Sequence, residues 1–297
     1  SNTLGIKNTS VGQSSMYFNS SGHYNTVMGY RSLYSNTTGN SNVAIGIAAL
    51  YSNTDRSDLV AVGDSALYNN GTGATLRYHS TDNTAVGSKA LYSNTIGNQN
   101  TATGYYALYS NTSGYDNTAN GSYSLYSNTT GNENSANGSH ALNSNTTGNY
   151  NTANGFEALS ENLTGSGNTA NGSEAMSNNE TGSGNTANGY GAMYHNLSGY
   201  YNTANGNFSL YSNTSGRSNV AIGIAALYSN TNRSNLVAVG DSALFNNGNG
   251  ATESYHSLYN TAIGSKSLYS NTIGDANTAT GSKSLYSNTT GYLNTAN

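Results

Sequence analysis

The chain has 297 residues, with 9 basic and 13 acidic side chains, a formal charge of −4, no cysteine and no proline, while 36 glycines and 26 tyrosines stand amid asparagine, serine and threonine. Charged residues make up 7%, against about 25% in an ordinary soluble domain, so the chain has neither the apolar residues of a large core nor the high net charge that accompanies disorder. Scattered basic residues argue against a nucleic-acid footprint, the lack of thiols rules out a disulfide framework or thiolate metal site, and no run approaches the roughly 18 apolar residues of a membrane span.

A regular period takes the place of a core. The first phrase of the type Asn-Thr-Ala-x-Gly closes at Gly12 and returns every 17 residues at Gly29, Gly46 and Gly63. Seven extra residues then enter within NGTGATLRYHSTDN, at about 71–81, and delay the next closing glycine to Gly87. The 17-residue step holds from Gly87 to Gly240, a second insertion within NGNGATESYHSLYN, at about 248–258, defers it to Gly264, and Gly281 follows. The block SNVAIGIAALYSNT at 41–54 returns unchanged at 218–231, so a 177-residue repeat contains the 17-residue one. Self-similarity at this period marks stacked units that share one narrow core, and one continuous repeat array over 1–297 is expected. Both ends fall in mid-pattern, so the chain is expected to be a piece of a longer one.

Within each unit the two glycine-bearing stretches read as turns. The segments between them, TAxG and ALYS, are too short for helices and read as two strands. Alternation then assigns faces: the alanine of the first strand and the leucine of the second point inward, and threonine, asparagine and tyrosine point outward. The expected core is Ala119, Ala136 and Ala153 with Leu108, Leu125, Leu142 and Leu159. Met176 and Met193 stand in for leucine, a volume-matched exchange that fits burial. The fold class is all-β: a parallel β-solenoid, built as a flattened two-strand β-roll with 17 residues per coil.

The NTAxGxxALYSNTTGN units resemble repeats of bacterial surface proteins and phage-type tail fibres, and the resemblance covers nearly the whole chain. More distantly, SNVAIG at 41–46 and 218–223 is similar to the core motif of trimeric autotransporter adhesin heads, whose repeat is shorter. These resemblances imply an extracellular or cell-surface location and, from the adhesin heads, a trimer.

Three features could carry an interaction. The residue before the closing glycine is asparagine at Asn120, Asn137, Asn154, Asn171, Asn188 and Asn205, and amides stacked at one coil spacing can pass hydrogen bonds along a ladder. The same position is apolar at Ile45, Val62 and Val86, and again at Ile222, Val239 and Ile263. Each apolar set lies beside an insertion, so either the insertion covers it, through Leu76 or Leu258, or it is a subunit contact. A tyrosine stripe (Tyr92, Tyr109, Tyr126, then Tyr194, Tyr211, Tyr228) either stiffens the sheet face or binds sugars.

The Asn-Thr-Thr-Gly turns supply Asn-x-Ser/Thr sequons at Asn36, Asn111, Asn128, Asn145, Asn162, Asn179, Asn196, Asn213 and Asn288, candidate N-glycosylation acceptors if the turns are exposed. The acidic residues keep no register, the histidines scatter, and no nucleophile elbow or phosphate loop is present, so no enzyme activity, metal or cofactor is expected. The sequence thus reads as the structural repeat region of an extracellular filament, fibre or giant adhesin that self-associates as a homo-oligomer. The alternative is a glycan-binding module that uses the Tyr and Asn faces.

Overall fold

The computed structural model describes residues 4–253 and 256–297 and is an all-β parallel solenoid. Its residues fall into two compact units, Ser1–Tyr150 and Asn151–Asn297. Among the described residues are seventeen short strands, one per coil: β1 (Thr9–Val11) to β8 (Ser135–Asn137) in the first unit, and β9 (Thr152–Asn154) to β17 (Thr295–Ala296) in the second. Within each unit every strand pairs in parallel with the next, in sequence order and in register. Thr118 faces Ser135, Ala119 faces Ala136 and Asn120 faces Asn137, a shift of one 17-residue period. The insertions leave this register untouched, since Val60 still faces Thr84 and Val237 still faces Thr261.

The strands β2 to β16 are three residues long, each with a buried centre and outward flanks, as in Thr118–Asn120; β1, also three residues, is exposed throughout, and β17 has two residues. Ala119, Ala136 and Ala153 are fully buried, as are Leu108, Leu125, Leu142, Leu159, Met176 and Met193. The small strand residue lets neighbouring walls of the coil approach closely, and the leucine fills what remains.

Among the described residues the second expected strand is absent. In ALYS the leucine adopts a left-handed backbone, with φ of 51° at Leu108 and 48° at Leu125, and so does the residue two before it, Tyr106 at 58° and Tyr123 at 57°. The segment is a run of tight turns, closed by Ala107 N–H donating to Gly104 C=O at 3.4 Å and Asn111 N–H donating to Leu108 C=O at 3.2 Å. Other N–H groups of the segment bond between coils, as when Leu108 donates to Ser124 C=O at 3.0 Å. A left-handed residue destroys strand alternation, so the adjacent pair Ala107–Leu108 is buried together. It also explains the composition of the core. β-Branched side chains are severely disfavoured at positive φ, and the position holds leucine or methionine in every coil, never valine or isoleucine.

The closing glycine has its own constraint. Gly121 has φ of +143°, and a Cβ there would lie 2.4 Å from the carbonyl oxygen of Gly138 in the next coil. Coils stack so closely at this corner that no side chain fits.

Candidate functional site

The interior holds two columns of asparagine that sequence reasoning placed outside. One is the asparagine of the Asn-Thr-Thr-Gly turn; the other opens the Asn-Thr-Ala phrase. Asn111, Asn117, Asn128 and Asn145 are all fully buried. Asn128 Nδ2 donates to Asn111 Oδ1 of the preceding coil at 2.9 Å and to the turn carbonyl of Gly131 at 3.0 Å. Asn145 Nδ2 repeats the step onto Asn128 Oδ1 at 2.8 Å. In the second column Asn117 donates three bonds: its backbone N–H and its Nδ2 donate to Asn100 Oδ1 at 3.0 and 3.1 Å, and Nδ2 also donates to Gly131 C=O at 2.8 Å. The turn carbonyl is thus clamped by one asparagine from each column. The second unit repeats the pattern, with Asn196 on Asn179 and Asn213 on Asn196, both at 2.7 Å.

This arrangement corrects the expectation of exposed sequon turns. Asn36, Asn111, Asn128, Asn145, Asn162, Asn179, Asn196 and Asn213 are fully buried, and Asn288, in the last coil, is half-buried. Nδ2, the atom a glycan would occupy, is committed to the stack. Turn glycine is required for the same reason: a Cβ on Gly114 would lie 2.4 Å from Asn111 Oδ1 and from Gly131 C=O.

The expected outer ladder also forms in part. Asn120 donates to Asn137 Oδ1 at 2.9 Å, Asn154 to Asn171 at 2.7 Å and Asn171 to Asn188 at 2.8 Å. The tyrosine stripe is a stack of rings: Tyr92–Tyr109 and Tyr109–Tyr126 have centroids 5.3 and 5.4 Å apart, and Tyr194–Tyr211 and Tyr211–Tyr228 have 5.4 and 5.1 Å.

Register brings Ile45, Val62 and Val86 side by side in one unit, and Ile222, Val239 and Ile263 in the other. Val86, Ile222 and Ile263 are 38, 39 and 43% exposed; Ile45, Val62 and Val239 are half-buried. Val11 and Met28, both exposed, extend the first stripe by two coils.

The first insertion does not act as a lid for its stripe. Leu76 is itself exposed, and the first insertion stays at the asparagine corner, where Asn70 Nδ2 donates to Ser80 C=O at 3.0 Å. What it covers is Arg56. This arginine stands at the position that Gly39 and Gly114 hold in other coils, and Arg233 is its counterpart in the other unit. Elsewhere a side chain there would strike the turn carbonyl of the next coil, as Gly39 would strike Arg56 C=O at 2.3 Å. Beside an insertion the next turn is displaced, and the guanidinium fills the space. Arg56 donates to Ala74 C=O at 3.2 Å and Arg233 to Ala251 C=O at 3.0 Å.

The same displacement removes a polar partner, and the sequence responds. Asn42 Nδ2 reaches the carbonyl 14 residues on, Arg56 C=O, at 2.9 Å. One coil later the turn carbonyls that Asn70 and Asn247 cap are those of Ser80 and Ser257, beyond the insertions, and Leu59 and Leu236, both fully buried, stand where asparagine would be. The turn column is interrupted too, which leaves Asn53 Oδ1 and Arg56 Nε without hydrogen-bond partners, as it leaves Asn230 Oδ1 and Arg233 Nε. Asp55 lies 3.5 Å from Arg56 Nε, whereas Asn232 takes its place beside Arg233, whose pKa burial lowers. Thr38, Asp55, Arg56, Ser57, Arg77 and Thr81 line a cleft of about 320 Å³ beside the first insertion.

Among the described residues no three His, Asp or Glu side chains converge as a metal site would require, and no helix is long and apolar enough to cross a membrane. No protein-family model matches the chain, and no curated protein matches it.

Proposed function

We propose that the chain is the structural repeat region of an extracellular filament, fibre or giant adhesin. The observation that carries this reading is that the polar interior is spent on the stack itself. The strand ladder links each coil to its neighbours within both units, two asparagine columns reinforce it except beside the insertions, and this converts sequence length into a mechanical element. The outward apolar stripes at Ile45–Val86 and Ile222–Ile263, recurring after 177 residues, support association with further copies at fixed intervals. The distant likeness to adhesin heads favours a trimer.

Immunogold labelling of the cells that make the protein, with an antibody to residues 1–297, tests this reading. Labelled surface fibres are the expected result. Label confined to the cell interior would overturn it. Glycan recognition remains the second reading, favoured by half-exposed stacked rings such as Tyr109 and Tyr126; sugar binding on a carbohydrate array that disappears in a Tyr109→Ala, Tyr126→Ala variant would establish it.

A further inference from the structure

From Tyr17 through Tyr126 the first unit carries an unbroken stack of tyrosines, with ring centroids 5.0–5.5 Å apart and planes within 15° of parallel. The 24-residue step from Tyr68 to Tyr92 does not interrupt it, since those rings stand 5.1 Å apart. The second unit has a similar stack from Tyr194 to Tyr286, with one difference: Phe245 stands between Tyr228 and Tyr269, at 5.1 and 5.2 Å. The chain has no tryptophan and no cysteine, so phenols are its principal one-electron donors.

We propose that these ladders are sites of oxidative cross-linking, in which a one-electron oxidant of the peroxidase or photo-oxidised metal-complex class joins tyrosines of adjacent coils as dityrosine. Each phenol gives up one electron to the oxidant and its hydroxyl proton to solvent. The two phenoxyl radicals pair through one ortho carbon of each ring, forming a single C–C bond. Each ring then rearomatises as its ortho hydrogen leaves that carbon as a proton and the phenol oxygen is reprotonated. The net loss is two electrons and two protons per bridge. Coupling of short-lived radicals is favoured where the partner ring is already held in place, and the ladders hold each ring beside the next at every coil. A bridge adds a covalent rivet along the stack while the asparagine columns remain intact.

Exposure and geometry point to different tyrosines, which makes the proposal testable. Tyr150, Tyr201 and Tyr292 are 62, 70 and 66% exposed yet stand outside the ladders. The full chain, dilute enough to suppress contacts between molecules, is given a light pulse with ruthenium tris-bipyridyl and persulfate, and its dityrosine peptides are mapped by mass spectrometry. Bridges are expected between successive ladder members, such as Tyr51–Tyr68 and Tyr92–Tyr109, with none joining Tyr228 to Tyr269. Tyr109→Phe, which keeps the stack, should abolish both bridges at that position and spare the others. Phe245→Tyr should add two bridges, to Tyr228 and to Tyr269. Bridges concentrated on Tyr201 and Tyr292, or no new bridge in Phe245→Tyr, would overturn the proposal.

Discussion

Replacing Asn128 with alanine tests the asparagine columns at their centre. The substitution removes two donated bonds, to Asn111 Oδ1 and Gly131 C=O, and one accepted bond from Asn145 Nδ2. Gly131 C=O keeps a donor in Asn117, so two buried groups are orphaned: Asn111 Oδ1 and one N–H of Asn145. At about 1–3 kcal/mol for each buried orphan, the expected cost is roughly 2–6 kcal/mol. Asn120→Ala, on the outer ladder, removes one exposed bond to Asn137 and should cost about 1 kcal/mol or less. Repeat arrays depart from two-state unfolding, so the readout is hydrogen exchange of backbone amides in coils 111–145, compared between the two variants. Equal loss of protection would refute the reasoning. Asn128→Asp sharpens the test. A buried carboxylate facing another acceptor has its pKa raised, so the folded state holds its proton where the unfolded chain, near pKa 3.9, has lost it. The variant should therefore be relatively most stable at acidic pH and lose stability as pH rises above about 4.

Leu125→Met should cost less than about 1.5 kcal/mol, while Leu125→Ile, which puts a β-branch at φ of 48°, should cost more despite its equal volume; thermal melts of the two variants decide. Removing seven residues from the insertion at 71–81 restores the 17-residue spacing, and this should be tolerated only with Arg56→Gly, as judged by soluble yield and circular dichroism. Lys89 donates to the Tyr106 hydroxyl at 2.8 Å, and this hydrogen bond lowers the phenol pKa; Lys89→Ala should shift its ultraviolet titration to higher pH. Val86→Lys with Ile263→Lys should abolish self-association in light scattering, and a wild-type chain that stays monomeric at high concentration would contradict the proposed assembly.

The solenoid, its period and its alanine–leucine core were legible because each rests on repetition and on apolar burial, which sequence displays directly. The turns at ALYS were not, because alternation is the default reading of a short apolar segment. The signal lay in what the segment lacks: no β-branched residue ever stands at the positions of Tyr106 or Leu108 in any coil. Asn111 and Asn117 misled because a polar residue is assigned to the surface unless its partners are known, and theirs lie one coil away. Here too the chain carried a cue. The turn asparagine recurs in every coil from Asn19 to Asn288, whereas the outward position of Asn120 becomes Ile45, Val62 or Thr103 elsewhere. Arg56 and Leu59 became interpretable only with the stack in view, since each answers a carbonyl that the insertion displaces in the coil that follows.

The most direct measurement of the central claim, that buried asparagine amides knit the coils together, is the exchange of side-chain Nδ2 protons followed by NMR. Those of Asn111, Asn117, Asn128 and Asn134, all buried, should exchange orders of magnitude more slowly than those of the exposed Asn120 and Asn205. Equal, fast exchange at all six would place the columns in solvent and contradict the structure proposed for the coil interior.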